Sequence, residues 1–223
     1  LIESVITKLE TEVVTSVFNI NFVTVGTELL KKLLAQAKVM AEKYDVMITN
    51  PPYLGIAKME AIPKEYLTAN YPDSKSDMFA MFMEVPYVKQ NGFRAIVNPD
   101  SWMFLMSYER LRRKIISNSF ISSMVYLGLG AFDATVQTTS FVLRYAPLPC
   151  AANYYCLVGS RNKEASFFDR KGLTTSCMNQ FLEIPSADFV FWLPDDLVKA
   201  FNQDTIGKHA ISDGQTRTGN NDK

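Results

Sequence analysis

The groups of this chain that are best suited to chemistry lie on four consecutive residues after a short apolar run, Val46–Thr49: Asn50, Pro51, Pro52 and Tyr53. The Asn50 side-chain oxygen and the Pro51 carbonyl oxygen are both hydrogen-bond acceptors. The two prolines fix φ and have no N–H that would compete as a donor. Tyr53 adds a flat ring on which a planar group can stack. Together these residues are suited to holding a planar amino group by both of its N–H bonds.

The chemistry that this arrangement favours is the transfer of a methyl group to an amino nitrogen. The amino nitrogen of adenine is a poor nucleophile because its lone pair is delocalised into the ring. Two acceptors, one for each N–H, favour a more tetrahedral nitrogen whose lone pair can point at an incoming methyl group. Stacking of a base on an aromatic ring contributes about 1–3 kcal/mol. A base in a duplex must be flipped out to reach such a pocket.

The four residues also have a purely structural interpretation, because Asn-Pro and Pro-Pro are common in tight turns. Their position favours the catalytic interpretation. In open α/β sheets ligands bind beyond the carboxyl ends of the strands, and Asn50 comes directly after a predicted strand. We therefore predict that residues 50–53 form the catalytic segment.

Composition limits the other functions open to the chain. Its 223 residues, 48% of them hydrophobic, suffice for one domain, or for a domain and part of another. The 23 basic and 23 acidic residues balance, so any grip on nucleic acid must be local or lie outside the chain. The three cysteines match no metal spacing, and with one histidine we predict no metal site and a reduced, cytoplasmic setting. No apolar run is long enough to span a membrane.

Apolar periodicity predicts an α/β fold in which a largely parallel sheet carries the catalytic segment. The predicted helices cover residues 1–17, 29–40, 77–90 with a kink at Pro86, 107–117 and 195–202. The predicted strands cover residues 18–22, 46–49, 93–97, 124–127, 139–145 and 154–158.

Four details of this prediction are open to a structural test. The glycine at position 26 is expected to break the chain before the second helix, and residues 53–76 are expected to form a polar loop. The strand over 46–49 is expected to be covered on both faces. The strands over 124–127 and 139–145 are expected to form an antiparallel hairpin at one edge of the sheet.

The motif at residues 50–53 resembles motif IV of the amino-group DNA methyltransferases, which use S-adenosylmethionine. Asparagine in its first position is typical of the adenine-N6 enzymes. Further runs resemble the PglX family, the large adenine methyltransferases of BREX phage-defence systems, which are related to the Eco57I-like restriction-modification enzymes. These runs cover residues 43–55, 70–79, 101–104, 136–144 and 216–222.

This resemblance implies roles for residues outside the motif. Met78 and Phe82, on the helix after the motif, would contact the adenine of the cofactor, although apolar residues at this spacing are also typical of any buried helix. Phe132 would pack on the flipped base from the other side, with Phe141 behind it. A strand phenylalanine such as Phe141 is more often part of a core.

The resemblance also implies the organisation of the chain. Residues 1–147 would be the C-terminal part of a Rossmann-like S-adenosylmethionine-dependent methyltransferase sheet with flanking helices. Residues 148–203 would be a linking segment, and residues 204–223 the start of a target-recognition region. The glycine-rich loop and the ribose-binding acid of such enzymes are not visible in the sequence. We therefore expect a fragment that is inactive, or nearly so, alone.

The function implied is methyl transfer to a flipped-out adenine of double-stranded DNA, in phage defence or restriction-modification, with other defence-system proteins as possible partners. Two alternatives remain. The motif also occurs in methyltransferases that act on protein glutamine or on RNA, and a degenerate fold would leave a non-catalytic module that binds DNA or a partner. The basic residues of the helix over 107–117 could contact phosphates, but such a run is more often simply solvated.

Overall fold

The computed structural model describes residue 4 and residues 20–132, 135–146, 151–204 and 206–209. Most of the helix predicted over residues 1–17, and the tail after residue 209, lie outside these residues. The described part forms an α/β fold, as predicted. Its strands are β1 (Tyr44–Thr49), β2 (Val88–Pro99), β3 (Phe120–Gly128), β4 (Thr138–Arg144), β5 (Ala151–Cys156) and β6 (Leu173–Cys177). Its helices are α1 (Ile20–Ala41), α2 (Ala61–Asn70), α3 (Met78–Met81), α4 (Glu109–Asn118), α5 (Lys163–Phe168), α6 (Asp195–Ala200) and α7 (Ile206–His209).

The six strands form one mixed sheet in the order β1-β2-β4-β3-β5-β6. β1 pairs in parallel with β2, whereas β4 runs antiparallel to both of its neighbours, β2 and β3. It follows that β1, β2 and β3 all point the same way and end at the same side of the sheet. The predicted antiparallel pairing of β3 with β4 is confirmed, but the pair lies inside the sheet because β4 enters between β2 and β3.

Two helix predictions and one strand prediction were wrong. α1 runs through Gly26 without a break, because one glycine costs a 22-residue helix only about 1 kcal/mol. The same helix begins at Ile20, within the strand predicted over residues 18–22. The helix predicted over 77–90 ends at Met81, because the chain turns ahead of Pro86 and enters β2 at Val88. Pro86 therefore stops the helix completely and does not merely kink it.

Two further predictions about the catalytic region were also wrong. The predicted loop over residues 53–76 contains α2, which accepts Pro63 because a proline in the first turn breaks no helical hydrogen bond. In the described part of the chain β1 is not covered on both faces, because none of its residues is buried. Ile48 is 79% exposed on the open face.

One face of the sheet is covered by a core rich in aromatic side chains. The Trp102 ring lies 5.0 Å from Phe141 of β4 and 4.9 Å from Phe189, measured between ring centroids. Phe189 belongs to an irregular stretch, residues 178–191, that packs on the sheet from beyond β6. The region predicted as a linking segment thus supplies two strands of the sheet and part of this core.

A buried guanidinium holds the irregular stretch in place. Arg112 of α4 donates to the carbonyl oxygens of Ser186, Trp102 and Leu105, and it forms an ion pair of 2.9 Å with Asp188. Its side chain is fully buried. Arg112 is therefore a structural residue and is not available to contact phosphates.

We expect Arg112→Ala to lower the free energy of unfolding by about 3 kcal/mol, because it leaves three carbonyl groups and a carboxylate without their partner. Arg113→Ala is the control on the same helix. It removes an exposed pair with Glu109, which is worth about 0.5 kcal/mol at most. Urea unfolding of both variants measures the difference, and equal losses would contradict the structural role of Arg112.

Candidate active site

The predicted catalytic segment leaves β1 at its carboxyl end and stays accessible. Asn50 and Tyr53 are exposed, whereas Pro51 is buried. The Tyr53 hydroxyl donates a hydrogen bond of 2.9 Å to Asn50 Oδ1. The Tyr53 ring meets Phe79 edge-on at 6.3 Å and does not enter the core. The acceptor atom and the stacking surface that the motif was predicted to provide are therefore adjacent and face solvent.

Asp77 connects this segment to the start of α3. Its Oδ1 atom accepts the backbone N–H of Leu54 at 2.9 Å and that of Phe79 at 3.2 Å. Burial raises the pKa of the Asp77 carboxyl, while the hydrogen bonds from the backbone oppose this shift. From the sequence alone, Asp77 could cap the helix that follows it or pair with Lys75. The contact with Leu54 has no local signal because 23 residues separate the two.

A second Asn-Pro pair ends the neighbouring strand, β2, but its asparagine has a different role. Asn98 is fully buried. Its Oδ1 atom accepts from Thr139 Oγ1 at 2.7 Å and from Trp102 Nε1 at 3.1 Å, and its Nδ2 atom lies 3.4 Å from Met83 Sδ. With these partners the Asn98 amide fixes the strand ends and has no acceptor left for a substrate.

The loop between β3 and β4 lies at the same side of the sheet as Asn50. About 14 Å separate β1 from β3, since adjacent strands are about 4.8 Å apart. The end of this loop continues the pairing of β4 with β2, because the Asp100 N–H after β2 donates to the Gln137 carbonyl oxygen at 3.0 Å. The Tyr126 hydroxyl lies 2.7 Å from Asp100 Oδ2 and 2.8 Å from Gln137 Oε1. Burial, reinforced by Asp100, raises the pKa of Tyr126, so its hydroxyl stays protonated.

This loop forms one wall of a cavity of about 950 Å³ on the sheet face opposite the aromatic core. Val97 forms part of the cavity floor. Val97 follows Ile96, the partner of Thr49 in β1, so the cavity reaches β2, but residues 50–53 do not line it. α5 forms the other wall, with Phe167 among its residues.

The two phenylalanines predicted to bind the base differ in accessibility. Phe132 lines the cavity and is 49% exposed, whereas Phe141 is 2% exposed and packs on Trp102. Phe141 is therefore a core residue and is not available to contact a base. The reason is its place in β4, where it points to the covered face of the sheet.

The two side chains predicted to contact a cofactor lie beside the catalytic segment. Along α3 and its end, Phe79 and Met83 point into the core, while Met78 and Phe82 remain half-buried. Part of each side chain is therefore accessible to a ligand. Among the described residues no glycine-rich loop or ribose-binding acid precedes Asn50. The described residues contain no group of three side chains arranged to hold a metal ion.

The fold resembles that of a protein in a solved protein–DNA complex. Superposition on the DrdV protein of the DrdV–DNA complex gives a TM-score of 0.53 with 14% identity, over 73% of this chain and 19% of that one. At this identity the similarity concerns the fold alone. In the described helices no stretch is long and apolar enough to cross a membrane.

The sequence comparison identifies the family, because residues 6–132 match the Eco57I restriction-modification methylase family. The chain belongs to this family, and the resemblance inferred from its motifs is confirmed. It is 35% identical to the adenine-specific methyltransferase BrxX of Escherichia coli (strain HS), over 75% of this chain and 15% of that protein. It is 39% identical to the adenine-specific methyltransferase PglX of Lacticaseibacillus casei (strain Zhang), over 52% of this chain and 10% of that protein. The chain thus spans only a small part of these relatives.

We expect Phe132→Ala and Phe141→Ala to differ widely in their effect on the free energy of unfolding. Phe141→Ala should lower the free energy of unfolding by about 3–5 kcal/mol because it leaves a cavity in the core. Phe132→Ala should change it by less than about 0.5 kcal/mol because the ring is exposed. Urea unfolding of the two variants checks this, and a large loss for Phe132→Ala would place that ring in the core.

The substitution Asp77→Asn tests the half-buried carboxylate of Asp77 through the pH dependence of the free energy of unfolding. Because burial raises the pKa of Asp77 above its usual value of 3.8, the folded chain holds the proton at a pH where the unfolded chain has released it. The stabilisation that protonated Asp77 contributes to the folded chain is therefore complete below about pH 4. It is lost as the pH rises through the pKa of Asp77 in the folded chain. The stability of Asp77→Asn relative to the unmodified chain should thus increase between pH 4 and pH 7, as measured by urea unfolding. A decrease over this range would mean that the pKa is lowered.

Proposed function

We propose that this chain is part of an adenine-N6 DNA methyltransferase that transfers a methyl group from S-adenosylmethionine to a flipped-out adenine. The observation that carries the proposal is the accessible pair of Asn50 and Tyr53 at the carboxyl end of β1. Membership of the Eco57I family and the names of the two relatives support it. The longer protein would act in phage defence or restriction-modification, in the cytoplasm, on double-stranded DNA and with other defence-system proteins as partners.

Asn50 and Pro51 would act by orienting the amino group. Asn50 Oδ1 accepts one N–H of adenine and the Pro51 carbonyl oxygen accepts the other, which directs the nitrogen lone pair towards the methyl donor. An amide oxygen has two lone pairs, so the base can bind at Asn50 Oδ1 beside the Tyr53 hydroxyl or in its place. Pro52 keeps the segment free of competing donors. The proton can leave to solvent after transfer, and no general base is needed.

Two aromatic rings would hold the extruded base. Tyr53 stacks on one face of the adenine, and Phe132, from the loop after β3 at the same side of the sheet, packs on the other. The cavity that Phe132 lines reaches β2, the strand beside β1. Because the rings stack on any base, the two oxygens would select for a base that carries an N–H₂ group and so exclude thymine.

Met78 and Phe82 would hold the adenine ring of S-adenosylmethionine, which supplies an activated methyl group on its sulfonium centre. We infer that the remaining cofactor contacts come from other parts of a longer protein. In this division residues 1–147 form the C-terminal part of the catalytic domain, residues 148–203 add two strands to its sheet and link it onwards, and residues 204–223 begin a target-recognition region. The chain alone would then be inactive, or nearly so.

Asn50→Ala in the full-length protein tests the proposal. It should lower the rate of methyl transfer by at least about 100-fold, since it removes one of the two groups that orient the reacting amine. The measurement is N6-methyladenine read at single-base resolution in DNA incubated with enzyme and cofactor. Asn70→Ala, an exposed asparagine at the end of α2, is the control and should methylate normally. Normal methylation by Asn50→Ala would refute the assignment.

A further inference from the structure

We propose that Asp77 is a positioning residue that joins the base-holding segment to the helix proposed to contact the cofactor. This inference rests on the proposed function. The inference adds Asp77, which lies outside the motif at residues 50–53, to the residues of the proposed site. Asp77 touches neither proposed substrate, and it acts through the backbone on either side.

The join consists of more than a helix cap. The Met78 N–H donates to the Leu54 carbonyl oxygen at 3.0 Å, and the Ile56 N–H donates to the Ser76 carbonyl oxygen at 3.0 Å. Gly55 and Asp77 form an antiparallel bridge between these bonds. The carboxylate adds the bond to the Leu54 N–H, so residues 54–56 and 76–78 form a short antiparallel pair that Asp77 clamps.

This clamp determines the position of the tyrosine. Leu54 directly follows Tyr53, and Pro51 and Pro52 directly precede Tyr53. The prolines fix the backbone on the amino side of Tyr53, and Asp77 fixes it on the carboxyl side. The backbone of Tyr53 is therefore held at both ends, while its side chain stays at the surface.

The same carboxylate fixes α3. An N-cap acceptor normally serves one helix N–H, and Asp77 Oδ1 serves the helix N–H of Phe79 and, in addition, the N–H of Leu54. Met78 is the first residue of this helix. One oxygen atom thus sets the distance between the segment proposed to hold the base and the side chain proposed to contact the cofactor. Transfer of a methyl group depends on such a distance, because a small misplacement of the reacting atoms lowers the rate.

Asp77→Ser separates the two tasks of the carboxylate. Serine is as good an N-cap as aspartate, but its side chain is one bond shorter, so it caps α3 and cannot also accept from Leu54. Asp77→Asn keeps an oxygen in the same place and should behave like the unmodified protein. Asp195→Ser, the same substitution at an exposed aspartate in the first turn of α6, is the control for the loss of a helix-terminal carboxylate away from the segment.

The first measurement is hydrogen–deuterium exchange at the amide of Leu54 in the full-length protein, which does not depend on activity. Asp77→Ser should speed exchange there by about 10- to 100-fold, since a hydrogen bond to a charged group is lost. Asp77→Asn should speed it by less than about threefold, as expected when an oxygen acceptor remains. Unchanged exchange in Asp77→Ser would overturn the proposal.

The second measurement is the rate of DNA methylation. Asp77→Ser should lower kcat by about 10-fold or more with less change in the KM for DNA, as expected when orientation in the transition state is lost. Asp77→Asn should keep kcat close to that of the unmodified protein, and Asp195→Ser should leave it unchanged. If Asp77→Ser lowers kcat no more than Asp195→Ser does, Asp77 does not position the reacting groups. If the unmodified protein methylates no DNA but Leu54 still depends on Asp77, the proposed function fails and the clamp stands.

Discussion

The parallel alignment of β1, β2 and β3 is the constraint on which the candidate site depends. All three strands end at one side of the sheet because β4, which lies between β2 and β3, runs the opposite way. The residues after β1 and the loop after β3 are therefore brought to the same side, although 79 residues separate Asn50 from Leu129. Without this alignment the predicted catalytic segment and Phe132 would lie at opposite ends of the sheet. The cavity that extends from β2 to this loop is a direct result of it.

The segments around the site have little regular structure and are held by buried polar groups bound to backbone atoms. Arg112 holds the irregular stretch beyond β6 through three carbonyl oxygens. Arg94 of β2 donates to the carbonyl oxygens of Met83 and Val85, at the turn that follows α3. Asp77 accepts hydrogen bonds from the backbone N–H groups of Leu54 and Phe79, close to Tyr53. Each group occupies several partners at once, which is how a turn without helical or sheet pairing can be as well fixed as the strands around it.

The two Asn-Pro pairs show what a motif can and cannot indicate. Both follow a strand and end at the same side of the sheet, so local sequence does not distinguish them. Asn50 follows an edge strand of the described sheet and remains accessible. Asn98 follows an interior strand, where Trp102 and Thr139 occupy its amide. The groups that surround each amide therefore decide which asparagine is left for a substrate.

The sequence by itself determined the chemical groups of the candidate active site, the alternation of strands and helices, and the family of the chain. These follow from short-range features: a donor-free turn after an apolar strand, apolar periodicity, and motifs in a given order. Only the tertiary structure decided that Phe132 lines a cavity while Phe141 fills the core. It also decided that Arg112 is buried and that Asp77 reaches Leu54. The physical reason is that burial and pairing of a side chain depend on neighbours far away in the chain, which the sheet order brings together and local periodicity does not encode.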